Sequence, residues 1–219
     1  MKIVAFIPIR MNSKRLRGKN TMPLNGRPLC DYIFSTIREV GIINEKYVFC
    51  GDDSIKQYIP EGIKLIKRDP YLDGDNVRGL EIIDSFTKTI DADIYVLTHT
   101  TSPFIKKESF EQAIAIMLDS EYDSVFSARK LQGYCWYRGE PVNYDPDDII
   151  QTQHLEPLYL ETGGFFIFRR EVYAKHKRRI GNTPYIYITD EFESIEIDTK
   201  EEFDFAEAAA KYLQGVEII

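Results

Sequence analysis

Short apolar runs alternate with helical patterns along the first 130 residues, and this alternation restricts the fold more than any other feature. The segment Ile3–Ile9 is apolar throughout and too short for a typical helix, as expected of a strand buried on both faces. Similar runs lie at 47–50, 63–66, 94–97 and 124–127. Between them, Pro28 opens a helical pattern (Leu29, Ile33, Phe34, Ile37, Val40) that stops at Gly41. Asp53 or Ser54 can cap a short helix to Tyr58, and longer helices are expected near 77–90 and 107–118. Strands alternating with helices predict an α/β domain with a mainly parallel sheet covered on both faces.

The alternation breaks near Lys130. Residues 130–160 hold Gly133, Trp136, Gly139, Pro141, Pro146 and Pro157 with little periodicity. So long an irregular stretch inside a compact domain reads as a functional or interaction element, a hairpin or arm. Order resumes with a strand at 164–168, a short helix near 171–177, strands at 185–188 and 194–197, and a helix at about 200–213. No internal repeat or Gly/Ser/Pro-rich linker divides the chain, so residues 1–219 are expected to form one domain.

Apolar residues make up 43% of the chain and aromatic residues 13%, enough to build a core and exclude a disordered tail. No run approaches the roughly 18–20 apolar residues of a membrane span, and no secretory signal pattern opens the sequence. Cys30, Cys50 and Cys135 are odd in number and far apart, unlike a disulfide scaffold or zinc knuckle. A soluble, reduced, cytoplasmic protein is expected. The formal charge of −7 is uneven: the first 30 residues carry seven Lys/Arg and no acid. A basic segment in an acidic chain points to a local anion site, whereas a nucleic-acid surface would make the domain basic overall.

That segment follows the first strand directly. Arg10-Met-Asn-Ser-Lys-Arg-Leu-Arg-Gly-Lys-Asn20 places five Lys/Arg within eleven residues. Ligands of open α/β sheets bind outside the carboxyl ends of the strands, and phosphates complement such a loop through charge-assisted bonds and backbone amides. The nearest P-loop frame, beginning at Ser13, lacks the first glycine and the terminal Ser/Thr. A dinucleotide fingerprint is excluded because Gly18 stands alone. By composition alone the loop is equally a solvated basic tract.

The pattern Ile7-Pro8-x-Arg10-x-x-Ser13-Lys14-x-Leu16-x-x-Lys19-Asn20, then Asn25-Gly26-x-Pro28-Leu29, resembles the cytidylyltransferases that activate sialic acids as CMP-sugars. Ketodeoxyoctonate (KDO) cytidylyltransferases are close cousins that usually have proline where this chain has Asn20, which favours the sialic-acid branch. Three further blocks match in order: Thr101-Ser102-Pro103; Gln151-Thr152-Gln153 leading to Glu161-Thr162-Gly163-Gly164; and Ser194-Ile195-Glu196-Ile197-Asp198-Thr199. Together they cover nearly the whole chain. The resemblance implies a Rossmann-like nucleotidyltransferase domain with a protruding dimerisation arm at about 130–160. The implied reaction transfers CMP from CTP to the anomeric hydroxyl of a sialic-acid-like nonulosonic acid, releases pyrophosphate and uses Mg2+.

By the same resemblance, Arg10 and Lys19 contact the triphosphate and, with Asp198, are catalytic. Ser13, Lys14, Asn20 and Arg68 belong to the nucleotide site. His99, standing where relatives commonly have glutamine, falls on the sugar side with Thr101 and Ser102. Gln153 reaches the sugar pocket across a homodimer interface, for which Tyr134, Trp136 and Tyr137 form an aromatic core. Glu196 and Asp198 match an Asp/Asp metal pair. Two residues apart on the expected strand, they point to one face and offer oxygen ligands for magnesium. Against the metal, residues 190–207 hold nine acids and one lysine, many of them simply solvated, and Thr199 with Glu202 fits a helix capping box.

Three departures stand out: Thr162 for asparagine, Leu160 for an arginine of some bacterial relatives, and Phe104-Ile105 where an arginine commonly follows. Arg78 and Arg129 are candidates to supply the missing cation. Two rivals remain. A catalytically diverged homologue would bind nucleotide or sugar without turnover. A nucleotide-sugar-dependent glycosyltransferase would use Asp73-Gly-Asp75 or Asp91-Ala-Asp93. Neither nucleic acid nor membrane is an expected partner.

Overall fold

Ile3, Ala5, Ile7 and Ile9 pack into one core while Val4 and Phe6 pack into another, so the first apolar run is a strand covered on both sides. A computed structural model describes residues 1–215. Its strands are β1 (Ile3–Ile9), β2 (Pro23–Leu24), β3 (Arg27–Pro28), β4 (Glu45–Cys50), β5 (Lys64–Lys67), β6 (Ile94–Leu97), β7 (Ser124–Leu131), β8 (Trp136–Tyr137), β9 (Glu140–Pro141), β10 (Leu158–Arg169) and β11 (Pro184–Ile188). Its α-helices are α1 (Leu29–Glu39), α2 (Gly79–Thr89), α3 (Lys107–Asp119), α4 (Arg170–His176) and α5 (Lys200–Leu213).

Seven strands form one sheet in the order β11-β7-β10-β6-β1-β4-β5, and β10 alone runs against the others. This is the mixed α/β, mainly parallel sheet that the alternation predicts. Ile33, Phe34 and Ile37 of α1 and Phe110, Ile114 and Met117 of α3 cover one face. Ile83 and Phe86 of α2 and Tyr173 of α4 cover the other, where Phe86 stacks on Phe6 at 4.2 Å. Each such buried side chain contributes about 1.5–3 kcal/mol. No described helix is long and apolar enough to cross a membrane.

A third, smaller core lies at the carboxyl ends of the strands. Leu24 and Leu29 meet Phe203 and Ala206 of α5 around Ile197. It fixes the residue between Glu196 and Asp198. The expected strand at 194–197 does not form: Ser194 lies in a turn, and the Ile197 N–H donates to Thr101 O at 2.9 Å. The alternation of Ser194, Ile195, Glu196 and Ile197 reflects one buried anchor in a loop, not a sheet face. The geometry expected for the acid pair from strand periodicity is corrected accordingly.

Other boundaries shift in informative ways. Helix α1 ends at Glu39, short of Gly41. The turn at Asp53–Tyr58 is 3-10 rather than α, and its cap is Asp52, whose carboxylate accepts from Ser54 N at 2.8 Å. Strand β10 begins six residues before the expected strand because a bulge interrupts it: Glu161 pairs with Ala128 and Phe166 with Phe126. Thr162–Phe165 thus oppose Ser127 alone, and a bulge re-aims side chains and backbone groups.

The arm expected at 130–160 is shorter, residues 132–157, because 130–131 extend β7 and 158–160 open β10, where Lys130 pairs with Tyr159. β8 and β9 form a hairpin whose turn residues Arg138 and Gly139 have positive φ. The Gln132 side chain closes its base on Thr152 O at 2.7 Å and Leu155 O at 2.9 Å. Tyr134, Trp136, Tyr137 and Ile149 stay exposed on it.

Candidate active site

The basic loop leaves β1 between the crossovers to β4 and β6, the position where a doubly wound sheet opens a crevice. Gly18 takes φ 67°, a left-handed conformation that lets the chain turn into the 3-10 helix Lys19–Thr21. Asn20 then braces the loop from inside. Its Nδ2 donates to Arg10 O at 2.9 Å, and its Oδ1 accepts from Thr100 Oγ1 at 2.5 Å.

Lys19 is 7% exposed. Its Nζ donates to Ile197 O at 2.7 Å and to Asp198 Oδ1 at 2.8 Å, while the other Asp198 oxygen pairs with Arg15 at 2.8 Å. The first and last motif blocks of the sequence therefore meet in one ion cluster. Arg15 and Asp75, to which the sequence assigned no role in this site, join it: Asp75 accepts Arg10 at 3.3 Å and Lys14 at 2.6 Å. Those two cations, Lys14 foremost, hold the Asp75 carboxyl below the usual carboxylate range. Arg68 is buried at 3% exposure, bonds Asp73 through Nε at 3.1 Å and lies over the Phe49 ring. Three aspartates thus hold the cations of a cradle suited to phosphate. Ser13, half-buried, precedes the exposed Lys14 in the loop.

The β10 bulge supplies the opposite wall. Its Gly163 carbonyl meets His99 Nδ1 at 2.9 Å, and its Gly163 N–H donates to Glu196 Oε1 at 2.5 Å. The bond to a carbonyl makes Nδ1 the protonated nitrogen of His99. Burial pushes the His99 pKa down, with the Gly163 contact opposing, so the ring is neutral at pH 7. A Cβ on Gly163 would fall 2.2 Å from Glu196 Oε1, so this close approach requires glycine.

Desolvation of the carboxyl pushes the Glu196 pKa up and Asp198 adds to it, while the bond from the Gly163 N–H opposes. Beside Glu196, Ser102 Oγ is fully buried without a hydrogen-bond partner among the described residues. Glu196 and the unpartnered Ser102 Oγ are hard oxygen donors of the kind a magnesium ion takes, while both Asp198 oxygens are engaged by Lys19 and Arg15. No group of three or more His, Cys, Asp or Glu side chains converges among the described residues. Thr101 lies at the same turn through its carbonyl bond to Ile197.

Several other acids of residues 190–207 have structural partners. Glu193 is buried and accepts from Lys106 N at 2.9 Å at the start of α3. Thr199 and Glu202 form the capping box of α5, and Glu202 also accepts from Asp198 N at 2.7 Å. Asp91 and Asp93 pair with Arg170 beside Ile94, where β6 begins. Gln153 is on the arm, exposed and bonded to Gln151, away from the cluster in the single chain.

Two cavities flank the cluster. One of about 320 Å³ is lined by Arg10, Arg68, Val77, Gly79, His99 and Arg179. Another of about 650 Å³ is lined by Arg129, Leu160, Phe192, Glu196, Glu202 and Phe205 among others. Arg179 went unnoticed in the sequence because it follows Lys177 and Arg178, where one more base reads as solvated surface.

Known proteins agree with this architecture. The chain is 27% identical over 215 residues to the N-acylneuraminate cytidylyltransferase of Streptococcus agalactiae, covering 93% of this chain and 52% of that protein. It is 21% identical to the pseudaminic acid cytidylyltransferase of Campylobacter jejuni, covering 96% and 97% of the two chains. The chain spans about half the length of the N-acylneuraminate relatives. The solved CMP:2-keto-3-deoxy-manno-octonic acid synthetase complexed with CTP superposes with TM-score 0.74 at 17% identity, over 97% of this chain and 100% of that one. The cytidylyltransferase family model matches residues 4–218, and the chain belongs to that family.

Proposed function

We propose that the protein is a cytidylyltransferase that transfers CMP from CTP to the anomeric hydroxyl of a sialic-acid-like nonulosonic acid. The observation that carries this reading is the junction of Lys19 with Asp198, which joins the basic loop to the acidic pair at the carboxyl ends of the strands. In the reaction, the hydroxyl oxygen bonds to the α-phosphorus, the bond to the β,γ-pyrophosphate breaks, and the hydroxyl proton passes to the Glu196–Asp198 pair. Arg10, Lys14, Arg15 and Lys19 balance the phosphate charge as their aspartate partners give way. Ser13, Asn20 and Arg68 complete the nucleotide side; His99, Thr101 and Ser102 line the acceptor side. Preorganised cations in line with the leaving group are the main contribution a protein makes to such a transfer.

Magnesium held by Asp198 and Glu196 would screen the phosphates and polarise the α-phosphate. The exposed aromatics of the arm support a homodimer in which Gln153 of each arm meets the other subunit's acceptor site. Asp73 and Asp75 are committed to Arg68, Arg10 and Lys14, which weakens the glycosyltransferase reading. Pyrophosphate release tests the reading. The four nucleoside triphosphates are assayed with magnesium against N-acetylneuraminic, legionaminic and pseudaminic acids and KDO. Release with CTP and a nine-carbon acid is expected; release with no pair overturns it.

A further inference from the structure

We infer that Arg179 binds the carboxylate of the acceptor acid and so determines which acceptors the site takes. This rests on the cytidylyltransferase reading above. Arg179 lies between α4 and β11, with its guanidinium carbon 3.5 Å from the centroid of the Phe166 ring. An arginine stacked on an aromatic face is preorganised, and its planar fork matches a carboxylate. Its one bond among the described residues runs from Nη2 to Glu161 Oε1 at 2.6 Å, which leaves Nε and Nη1 free to donate. Glu161 already occupies the guanidinium as a carboxylate would.

Position selects Arg179 over other cations. It lines the 320 Å³ cavity with Arg10, Arg68 and His99, and also an adjoining cavity of about 450 Å³ with Arg78, Arg178 and Ile180. In a nonulosonic acid the carboxylate hangs on the carbon that bears the attacking hydroxyl, so it must be held beside the phosphates. Two anions brought that close need a cation between them. Arg10 and Arg68 are on the phosphate side. Arg78 is 86% exposed and lines outer cavities but not the 320 Å³ one. Arg129 lines the 650 Å³ cavity with Glu191, Glu201 and Glu202, and not the cavity shared by Arg10, Arg68 and His99.

The test is steady-state kinetics with CTP and whichever acid of the panel releases pyrophosphate, beside inhibition by that acid and its carboxamide. Arg179→Ala should raise KM for the acid roughly tenfold, as loss of a charged hydrogen bond does, and leave KM for CTP within about twofold. Preference for acid over carboxamide should collapse, and Arg179→Lys should restore part of it. Glu161→Gln keeps the guanidinium and removes its competitor, so it should lower KM for the acid and guards against a misfolded alanine variant. An active wild type whose variants keep the acid-over-amide preference, or whose CTP KM moves instead, overturns the assignment alone. A wild type that turns over no acid overturns the functional reading and this inference together.

Discussion

Lys19 and Asp198, 179 residues apart in sequence, form an ion pair 2.8 Å long with the lysine almost entirely buried. A buried ammonium is tolerable only when paired and hydrogen-bonded, and Lys19 meets that condition through Asp198 and the Ile197 carbonyl. The pair therefore fixes where the basic loop sits relative to the acidic end of the sheet. Lys19→Ala and Asp198→Asn should each cut turnover at least about tenfold, or roughly 1.4 kcal/mol in the barrier. The double variant should lose much less than the two losses combined, because both act through one contact. Full additivity in folded variants contradicts the shared role.

Asp75 pairs with Arg10 and Lys14, the cations that the proposed function gives to the triphosphate. Asp75→Asn keeps the size of the side chain and removes the competing charge. CTP titration should show tighter binding, by a few-fold at low salt, with the gain shrinking as salt rises. Weaker binding would mean that Asp75 holds Arg10 in place for the nucleotide.

Two adjacent glycines should fail differently. At Gly163 an alanine methyl strikes the Glu196 carboxylate, so Gly163→Ala should lose activity with little change in melting temperature. At Gly164 the methyl would lie 2.4 Å from Ile105 Cδ1 in the core, so Gly164→Ala should cost about 1–3 kcal/mol of stability. Activity assays beside thermal melts separate the two. Equal effects on both readouts would mean the bulge tolerates neither change for one common structural reason.

His99 ties stability to pH. Its folded pKa lies below the unfolded value of about 6.5. Under acid conditions the unfolded chain takes up a proton that the folded chain refuses. The contribution of His99 is therefore complete above about pH 6.5 and is lost as pH falls toward the folded value. His99→Gln keeps a donor for Gly163 O and removes the titration. Melting curves between about pH 7.5 and 5.5 should fall less steeply for the variant; parallel slopes contradict the burial of a neutral ring.

Much of this was legible in the sequence where one face of an element decides its neighbours. The run Ile3–Ile9, the strand Ile94–Leu97 and the helix Lys200–Leu213 appear where hydrophobic pattern and capping place them. The capping box at Thr199 was readable because its partners are three residues apart. What periodicity could not resolve were features set by distant contacts. The loop around Ile197 imitates strand alternation because its one apolar anchor fills a core built from Leu24 and Phe203. At the β10 bulge Ser127 Oγ accepts from Phe165 N at 2.9 Å across 38 residues. Likewise, the aspartate partners of the cradle and the stacking of Arg179 on Phe166 exist only once β5, β10 and the loops after them are brought together.

Phosphorus NMR of the products tests the central claim most directly. With CTP, magnesium and the accepted nonulosonic acid, the α-phosphate signal should become that of a CMP-sugar diester, with one pyrophosphate formed for each diester. Free CMP with pyrophosphate and no diester, or an unchanged spectrum across the acid panel, would contradict it.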